Sequence, residues 1–293
     1  MTKKVLVVGA GGQLGQELQR TSGPDIECLP MTRAQLDVAD LAVVTQCLAA
    51  VAPQLVINAA AYTAVDKAES EVDAAQRGNV AGPLALAQAC AQQGVRLIHI
   101  STDFVFDGSA SQPYKPDAAT APLGEYGRSK RAGELAVQSV IPQALILRTG
   151  WVYSRYGSNF VKTMLRLMSE RDDLAVVADQ VGTPTWAHGL AEAVWACAAR
   201  PQLSGIYHWS DAGVCSWYDF ACAIYEEGRA VGLLNNEVAV KPIAASSYPT
   251  LAHRPAYSVL DKANSWREFE LQGVPWRDQL RSMLLDMKEH CNE

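Results

Sequence analysis

Short apolar runs alternate with longer stretches of helical period through the first half of the chain. Residues 4–8 are a β-branched run that stops at Gly9, the pattern of a short buried strand. Helical spacing follows from about residue 12 to 20. A stretch of helical character at about 40–52 leads into a second apolar run at 54–58. Residues 73–93 are alanine-rich and helical, 95–100 form another strand, 124–138 suit a helix and 144–147 are again a strand. Strands that alternate with helices in this way build stacked βαβ units, a parallel sheet covered on both faces. Right-handed crossovers then wind it into a doubly wound, Rossmann-type α/β sheet.

After about residue 150 the rhythm loosens and aromatic residues become denser, among them Trp151, Tyr153, Tyr156, Trp186, Trp209, Trp217 and Tyr218. Helices are expected at about 158–170, 187–199, 216–228 and 276–290, with 242–255 as an extended loop. The expected division is a dinucleotide-binding unit at 1–150 and a smaller α/β substrate-binding region at 151–293, interleaved with the first through strands returned to the sheet.

The 293 residues carry a net charge of -6 and no Lys/Arg cluster, which argues against nucleic acid as a partner. No apolar stretch is long enough to span a membrane. Seven cysteines are scattered with no Cys-x-x-Cys spacing, as suits a reducing cytoplasm better than a disulfide framework.

Gly9, Gly12 and Gly15 follow the first strand and open the first helix. One glycine makes a tight turn, one lets backbone N–H groups approach a pyrophosphate, and one allows close helix–strand packing. The G-x-x-G-x-x-G spacing differs from the common G-x-G-x-x-G, since position 14 is leucine. The acid expected at the end of the second strand to hold a ribose is not evident. Glu27 is one option, but Thr32 and Arg33 stand where the ribose would be read, and an arginine there suits a 2′-phosphate. NADPH and NADH therefore both remain open as the cofactor. Leu36, Asp37 and Val38 are placed to line an adenine. Asn58-Ala59-Ala60-Ala61-Tyr62-Thr63 follows the second apolar run, where small residues let a cofactor approach the backbone.

Tyr126 and Lys130 form the one Tyr-x-x-x-Lys pair in the chain. On a helix they lie a turn apart on one face. An ammonium beside a phenol favours phenolate and is expected to lower the tyrosine pKa; such a phenol can protonate a developing alkoxide. Chance can supply one such pair in a chain of this composition, so its position after a βα unit gives it weight. Thr102, just beyond the strand at 95–100, can bind a carbonyl oxygen, and Ser101 is the alternative.

Through the glycine turn, Asn58-Ala59-Ala60, Ser101-Thr102-Asp103 and Tyr126-x-x-x-Lys130, the chain resembles the extended short-chain dehydrogenase/reductase family. Segments 58–69, 101–106, 148–153, 159–166, 179–185 and 248–255 resemble the branch that reduces the 4-keto group of dTDP-6-deoxy-L-lyxo-4-hexulose (dTDP-4-dehydrorhamnose) to dTDP-L-rhamnose. The resemblance implies Tyr126 as proton donor and Lys130 as the ribose-orienting residue. It implies Thr102 and Asp103 as sugar contacts and Trp151 as the aromatic packed on the sugar. It places Gly12, Gln13 and Leu14 at the pyrophosphate, Asp37 and Val38 at the adenine, and Ala61, Tyr62 and Thr63 at the nicotinamide side. The charge of Arg254 suits a nucleotide phosphate. Some members bind Mg2+ between subunits through three carboxylates. Here Glu17 matches one and Asp286 roughly another, but His188 stands at the third, so no metal is expected and the chain is either a monomer or a homodimer. Gly150 stands where serine is common, and Tyr62 where histidine is. A sugar-nucleotide epimerase or 4,6-dehydratase is an alternative, although a dehydratase needs a Glu beside its threonine and Asp103-Phe104 lacks one. A dinucleotide-binding regulatory subunit of the methionine adenosyltransferase type is another.

Overall fold

The computed structural model describes residues 2–290. Its first half runs β1 (Lys3–Val8), α1 (Gln13–Arg20), β2 (Ile26–Met31), α2 (Leu41–Val51), β3 (Leu55–Asn58), α3 (Val65–Ala68), α4 (Val72–Gln76), α5 (Gly82–Gln93), β4 (Arg96–Thr102), α6 (Glu125–Val140) and β5 (Leu145–Thr149). The second half runs β6 (Val152–Tyr153), α7 (Phe160–Glu170), β7 (Asp173–Val177), β8 (Val181–Gly182), β9 (Thr185–Trp186), α8 (Ala187–Ala199), β10 (Gly205–His208), β11 (Cys215–Ser216), α9 (Trp217–Ala230), β12 (Ala239–Ile243), α10 (Ala263–Phe269) and α11 (Trp276–His290). Each helix and strand expected from the sequence is present within a few residues of its expected ends.

Six strands form one sheet in the order β10-β5-β4-β3-β1-β2, all parallel. The period-2 alternation of β1 splits its side chains between two cores. Val5 and Val7 join α1 and α8 on one face, whereas Leu6 and Val8 join α2, α5 and α6 on the other. Both faces are thus sealed, as a parallel sheet requires. The chain leaves β1 toward β2 and returns on the other side to β3, so the switch point lies at the carboxyl ends of β1 and β3, where such sheets bind ligands.

The helix expected at 73–93 is interrupted by a π-turn, Arg77–Ala81, between α4 and α5. β10, from the aromatic-rich half, pairs with β5 and ends the sheet. A separate core joins α7, α9 and α11 to β7. The extended loop expected from residue 242 instead begins inside β12, which pairs in parallel with β7. Pro242 had suggested a loop, but β12 has one partner strand, and an edge strand tolerates a missing N–H. The six described cysteines are unpaired, and Cys291 lies outside the described residues. No helix among the described residues is long and apolar enough to cross a membrane.

A buried ion pair locks α6 onto this sheet. Arg148 on β5 is 1% exposed and Glu134 on α6 is fully buried. They meet through two 2.8 Å hydrogen bonds, Nε to Oε1 and Nη2 to Oε2. Ser101 of β4 donates to Glu134 Oε1 at 2.5 Å, and Arg131 bonds Oε2 at 2.8 Å. Burial works to raise the Glu134 pKa, but these partners outweigh it and hold the carboxyl below its ordinary value. Arg148→Leu leaves the carboxylate with Arg131 and a hydroxyl. The expected loss is about 3–5 kcal/mol of unfolding free energy, read by urea denaturation, and the Glu134→Leu/Arg148→Leu double variant is expected to regain most of it. A single variant that loses under ~1 kcal/mol would show that the pair does not hold α6.

Candidate active site

The glycine turn leaves β1 at Gly9, whose φ of +82° is a left-handed conformation that glycine adopts without strain. Space is also exhausted there, since a Cβ on Gly9 would stand 2.5 Å from the Ala60 nitrogen. A Cβ on Gly15 would stand 2.3 Å from the Gly9 oxygen, so Gly15 is the packing glycine. The Gly9 and Ala10 N–H groups both donate to the Met31 carbonyl, at 3.0 and 3.1 Å, which fastens the turn to the end of β2.

A cavity of about 610 Å³ opens at this point. It is lined by Gly9 and Gly12 of the turn, by Arg33, Asp37 and Val38 beyond β2, and by Ala59, Ala60, Ala61, Tyr62 and Thr63 beyond β3. The glycine cradle and this long cleft fit a dinucleotide. Gln13, Leu14 and Gly15 do not line the cavity. Leu14 is buried against the sheet, and Gln13 Oε1 accepts from Asn159 at 2.9 Å. Glu27 is remote, because its register partner is Lys4, whereas the cavity end of the pair is Val8 with Met31.

Side chains in the sheet set the course of the 58–63 loop. Asn58 Oδ1 accepts from the Ala60 N–H at 3.1 Å, and Asn58 Nδ2 meets His99 Nδ1 at 3.0 Å. Asn79, fully buried in the π-turn, exchanges hydrogen bonds with the Tyr62 backbone at 2.8 and 3.0 Å. It also donates to Ser129 of α6 at 3.0 Å. Asn79 therefore couples the loop to the helix that carries Tyr126 and Lys130. Its role is not legible from sequence, because a lone asparagine in a helical stretch has no recognisable spacing.

Thr102 ends β4, and its Oγ1 donates to Asp103 Oδ1 at 3.1 Å. The same oxygen accepts from the Phe104 N–H at 3.2 Å. Ser101, the alternative hydroxyl, points the other way, into Glu134. The Thr102 hydroxyl lies beside the Tyr126 phenol. Burial pushes that phenol up to about 12, with Thr102 opposing and Asp103 adding to the rise. The expectation that Lys130 depresses the tyrosine is therefore not met. Lys130 is 2% exposed and its ammonium donates to the Ile100 carbonyl at 2.7 Å. Burial lowers its pKa to about 8, against the pull of Glu134.

Asp103 is also buried, and burial pushes its carboxyl up to about 6 against the Ser258 and Thr102 hydroxyls. The glycine at 150 has a direct physical reason. A Cβ there would stand 2.5 Å from the Asp103 carboxyl group, so a side chain at this position would displace it. Trp151 has a φ of +51° and stacks on Trp217, with centroids 3.4 Å apart and planes 3° from parallel. A Cβ on Gly182 would lie 2.6 Å from the Trp151 ring. Trp217 is held at the start of α9 by a capping box between Ser216 and Asp219. Both indoles border a small cleft with Phe104, Gln180, Arg254 and Ser258. Trp217 was legible only as one of many aromatics, since its partner is 66 residues away in the chain. Arg254, read as a phosphate ligand, bonds Asp66 Oδ2 at 2.7 Å and ties the 244–262 segment to α3.

Glu17, Asp286 and His188 do come together, but around cations. Arg20 bonds Glu17 at 2.9 Å, Asp286 at 3.4 Å and His188 Nδ1 at 2.9 Å, and Arg155 reaches Asp286 at 3.4 Å. Two guanidinium groups occupy the carboxylates, so this donor set does not fit a divalent metal. No group of three or more His, Cys, Asp or Glu among the described residues is arranged to hold one.

A family model described as RmlD substrate binding domain matches residues 3–289. The dTDP-4-dehydrorhamnose reductase of Aggregatibacter actinomycetemcomitans is 41% identical over 96% of this chain and 98% of its own length. The crystal structure of the Clostridium acetobutylicum dTDP-4-dehydrorhamnose reductase superposes with a TM-score of 0.91 at 38% identity, covering 98% of this chain and 99% of that one. That of the Bacillus anthracis enzyme, in complex with NADP, gives 0.92 at 35% identity and covers 98% and 100%. The fold, the matched model and these full-length likenesses agree, and the chain belongs to the dTDP-4-dehydrorhamnose reductase (RmlD) family of the extended short-chain dehydrogenase/reductases.

Proposed function

We propose that this protein reduces the 4-keto group of dTDP-6-deoxy-L-lyxo-4-hexulose to give dTDP-L-rhamnose, with NADPH or NADH as reductant. The observation that carries this reading is the convergence of Thr102, Tyr126 and Lys130 at the carboxyl edge of the sheet, in a chain of this family. We further propose that residues 1–150 hold the dinucleotide. Residues 151–293, interleaved with them through β10, hold the sugar nucleotide. The six unpaired cysteines are consistent with a cytoplasmic setting, and the chain acts as a monomer or a homodimer.

A dinucleotide held in the cavity would supply the hydride for the carbonyl carbon. Tyr126 delivers its hydroxyl proton to the carbonyl oxygen, so that C=O becomes CH–OH. A phenol raised by burial is neutral at pH 7, the form that a proton donor needs. Thr102 sits where it can hold the same oxygen and keep the phenol aimed. Lys130 exchanges its bond to Ile100 for the nicotinamide ribose, and its charge then acts on the phenolate left by proton transfer. Gly9, Gly12 and Gly15 shape the pyrophosphate turn, with Gln13 and Leu14 contributing backbone. Asp37 and Val38 flank the adenine, and 59–63 the nicotinamide side. Asp103 and Trp151 contact the sugar. Trp151 must part from Trp217 to offer that face, and Arg254 must leave Asp66 to meet a phosphate.

Tyr126→Phe is expected to lower turnover by roughly 10²-fold or more with dinucleotide affinity kept, measured as NADPH or NADH oxidation with the 4-keto sugar nucleotide. Near-normal turnover would sink the assignment. Asp103 sets a pH dependence. Its folded-state pKa of about 6 lies above the ordinary 3.8, so across that window the folded protein keeps a proton that the unfolded chain releases. Its contribution to stability is therefore greatest below the window and is lost as pH rises through it. Relative to Asp103→Asn, the wild type is expected to lose on the order of 2–3 kcal/mol between pH 4 and 7, read from urea unfolding at both pH values. A difference that does not vary with pH would count against a buried, raised carboxyl.

A further inference from the structure

Thr102, Asp103 and Tyr126 form a chain of polar groups whose donors and acceptors can be counted. Thr102 and Asp103 are 4% and 2% exposed, so protein groups rather than bulk water must satisfy them. Helix α6 is pressed onto the turn that carries them, since a Cβ on Gly127 would stand 2.2 Å from the Phe104 carbonyl oxygen. The Phe104 ring meets the Tyr126 ring edge-on, with centroids 5.6 Å apart. Gly150, just beyond β5, leaves room for the Asp103 carboxyl group, and the Ser258 hydroxyl lies against that group.

A threonine hydroxyl has one proton to donate and two lone pairs. One lone pair of Thr102 Oγ1 is taken by the Phe104 N–H at 3.2 Å. One proton and one lone pair remain for two neighbours, Asp103 Oδ1 at 3.1 Å and the Tyr126 phenol. An ionised Asp103 has no proton and can only accept. It then takes the Thr102 proton, and the remaining lone pair of Thr102 draws in the proton of the phenol. A protonated Asp103 donates to Thr102 instead. Thr102 then donates to the phenol oxygen, and the proton of Tyr126 is left free to point into the site.

The chain of bonds therefore runs in one of two directions, and the charge on Asp103 selects which. The first direction commits the tyrosine proton to Thr102. The second aims it at an acceptor from outside the chain, which is what a proton donor to a carbonyl needs. Burial favours the neutral form of a carboxyl group, and burial is the largest influence on Asp103. Tyr126 is the titratable group that faces it. The charged groups packed nearby are engaged elsewhere: Lys130 with the Ile100 carbonyl, Glu134 with Arg148, and Arg254 with Asp66.

We propose that Asp103, in its protonated form, is a positioning residue that acts through Thr102 to aim the Tyr126 proton at the substrate carbonyl. This rests on the reduction proposed above. Single-turnover oxidation of the reductant by the 4-keto sugar nucleotide separates the chemical step from product release. The Asp103 carboxyl titrates at about 6 and Lys130 at about 8. The wild-type rate is therefore expected to fall by roughly tenfold from about pH 5.5 to about pH 7.5. Asp103→Asn keeps a donor toward Thr102 at every pH, and its rate is expected to vary by less than about twofold over that range. A flat wild-type profile, or the same fall in Asp103→Asn, overturns the positioning role. The Tyr126 ring reports on the chain without turnover. Its Cζ resonance, in protein carrying isotope-labelled tyrosine and assigned by its loss in Tyr126→Phe, is expected to shift across the window in the wild type and to stay fixed in Asp103→Asn. A wild-type resonance that does not move also overturns the role. A moving resonance in a protein that reduces the sugar with neither NADPH nor NADH overturns the reduction instead, while the coupling of Asp103 to Tyr126 stands.

Discussion

The bidentate pair between Arg148 and Glu134 is the constraint on which the reaction geometry depends. Glu134 belongs to α6, which also carries Tyr126 and Lys130. Arg148 belongs to β5, and Ser101, the third partner, belongs to β4 one residue before Thr102. A helix packed on a sheet by apolar contacts alone can slide and rotate by small amounts. A buried carboxylate with directional bonds to two adjacent strands cannot, because each displacement leaves a charge unpaired in a medium that punishes it. The pair also reaches beyond the sheet. Arg148 Nη1 donates to the Pro116 carbonyl at 3.2 Å, and its guanidinium lies 5.2 Å above the Phe106 ring, which fixes the segment after Thr102. The placement of the Thr102 hydroxyl beside the Tyr126 phenol is thus set by groups buried in the fold.

Much of this was legible because local rules agree with the fold. β1, the glycine turn and α1 obey period, turn chemistry and helix start at once, and their positions in the chain are their positions in space. The same holds for β3 with Asn58, and for β4 with Thr102 before α6. What the sequence hid were partners and register set by residues distant along the chain. Helical spacing correctly placed Tyr126 and Lys130 on one face, but the carbonyl of Ile100 captures the ammonium. Charge suggested a phosphate for Arg254, but Asp66, 188 residues away, holds it. Glu27 was an acid in the right strand at the wrong end, and only the register with β1 reveals that.

Close approach governs the cleft around Trp151 as much as the glycine turn. Gly150 and Gly182 are not turn residues with positive φ. They are places where a methyl group would strike Asp103 or Trp151. Trp151 itself accepts a left-handed backbone, a conformation that costs free energy for a bulky residue, and the neighbours must over-determine it. The Trp217 stack and the Gly182 surface do so. A single sequence shows neither, since a glycine outside a turn motif looks the same whether it makes room or merely tolerates motion.

Burial is the dominant influence on the ionisable groups of the site. Burial raises Tyr126 and Asp103 and lowers Lys130, three shifts that all oppose charge. A reaction that moves a hydride and a proton creates charge only briefly, on the carbonyl oxygen and then on the phenol. Fixed dipoles and hydroxyls stabilise such charge better in a dry site than water does, because they need no reorganisation. Thr102, bonded to Asp103 and to the Phe104 backbone, is held in place before any substrate arrives. The desolvation that raises Asp103 also keeps the Tyr126 phenol in its neutral, protonated form.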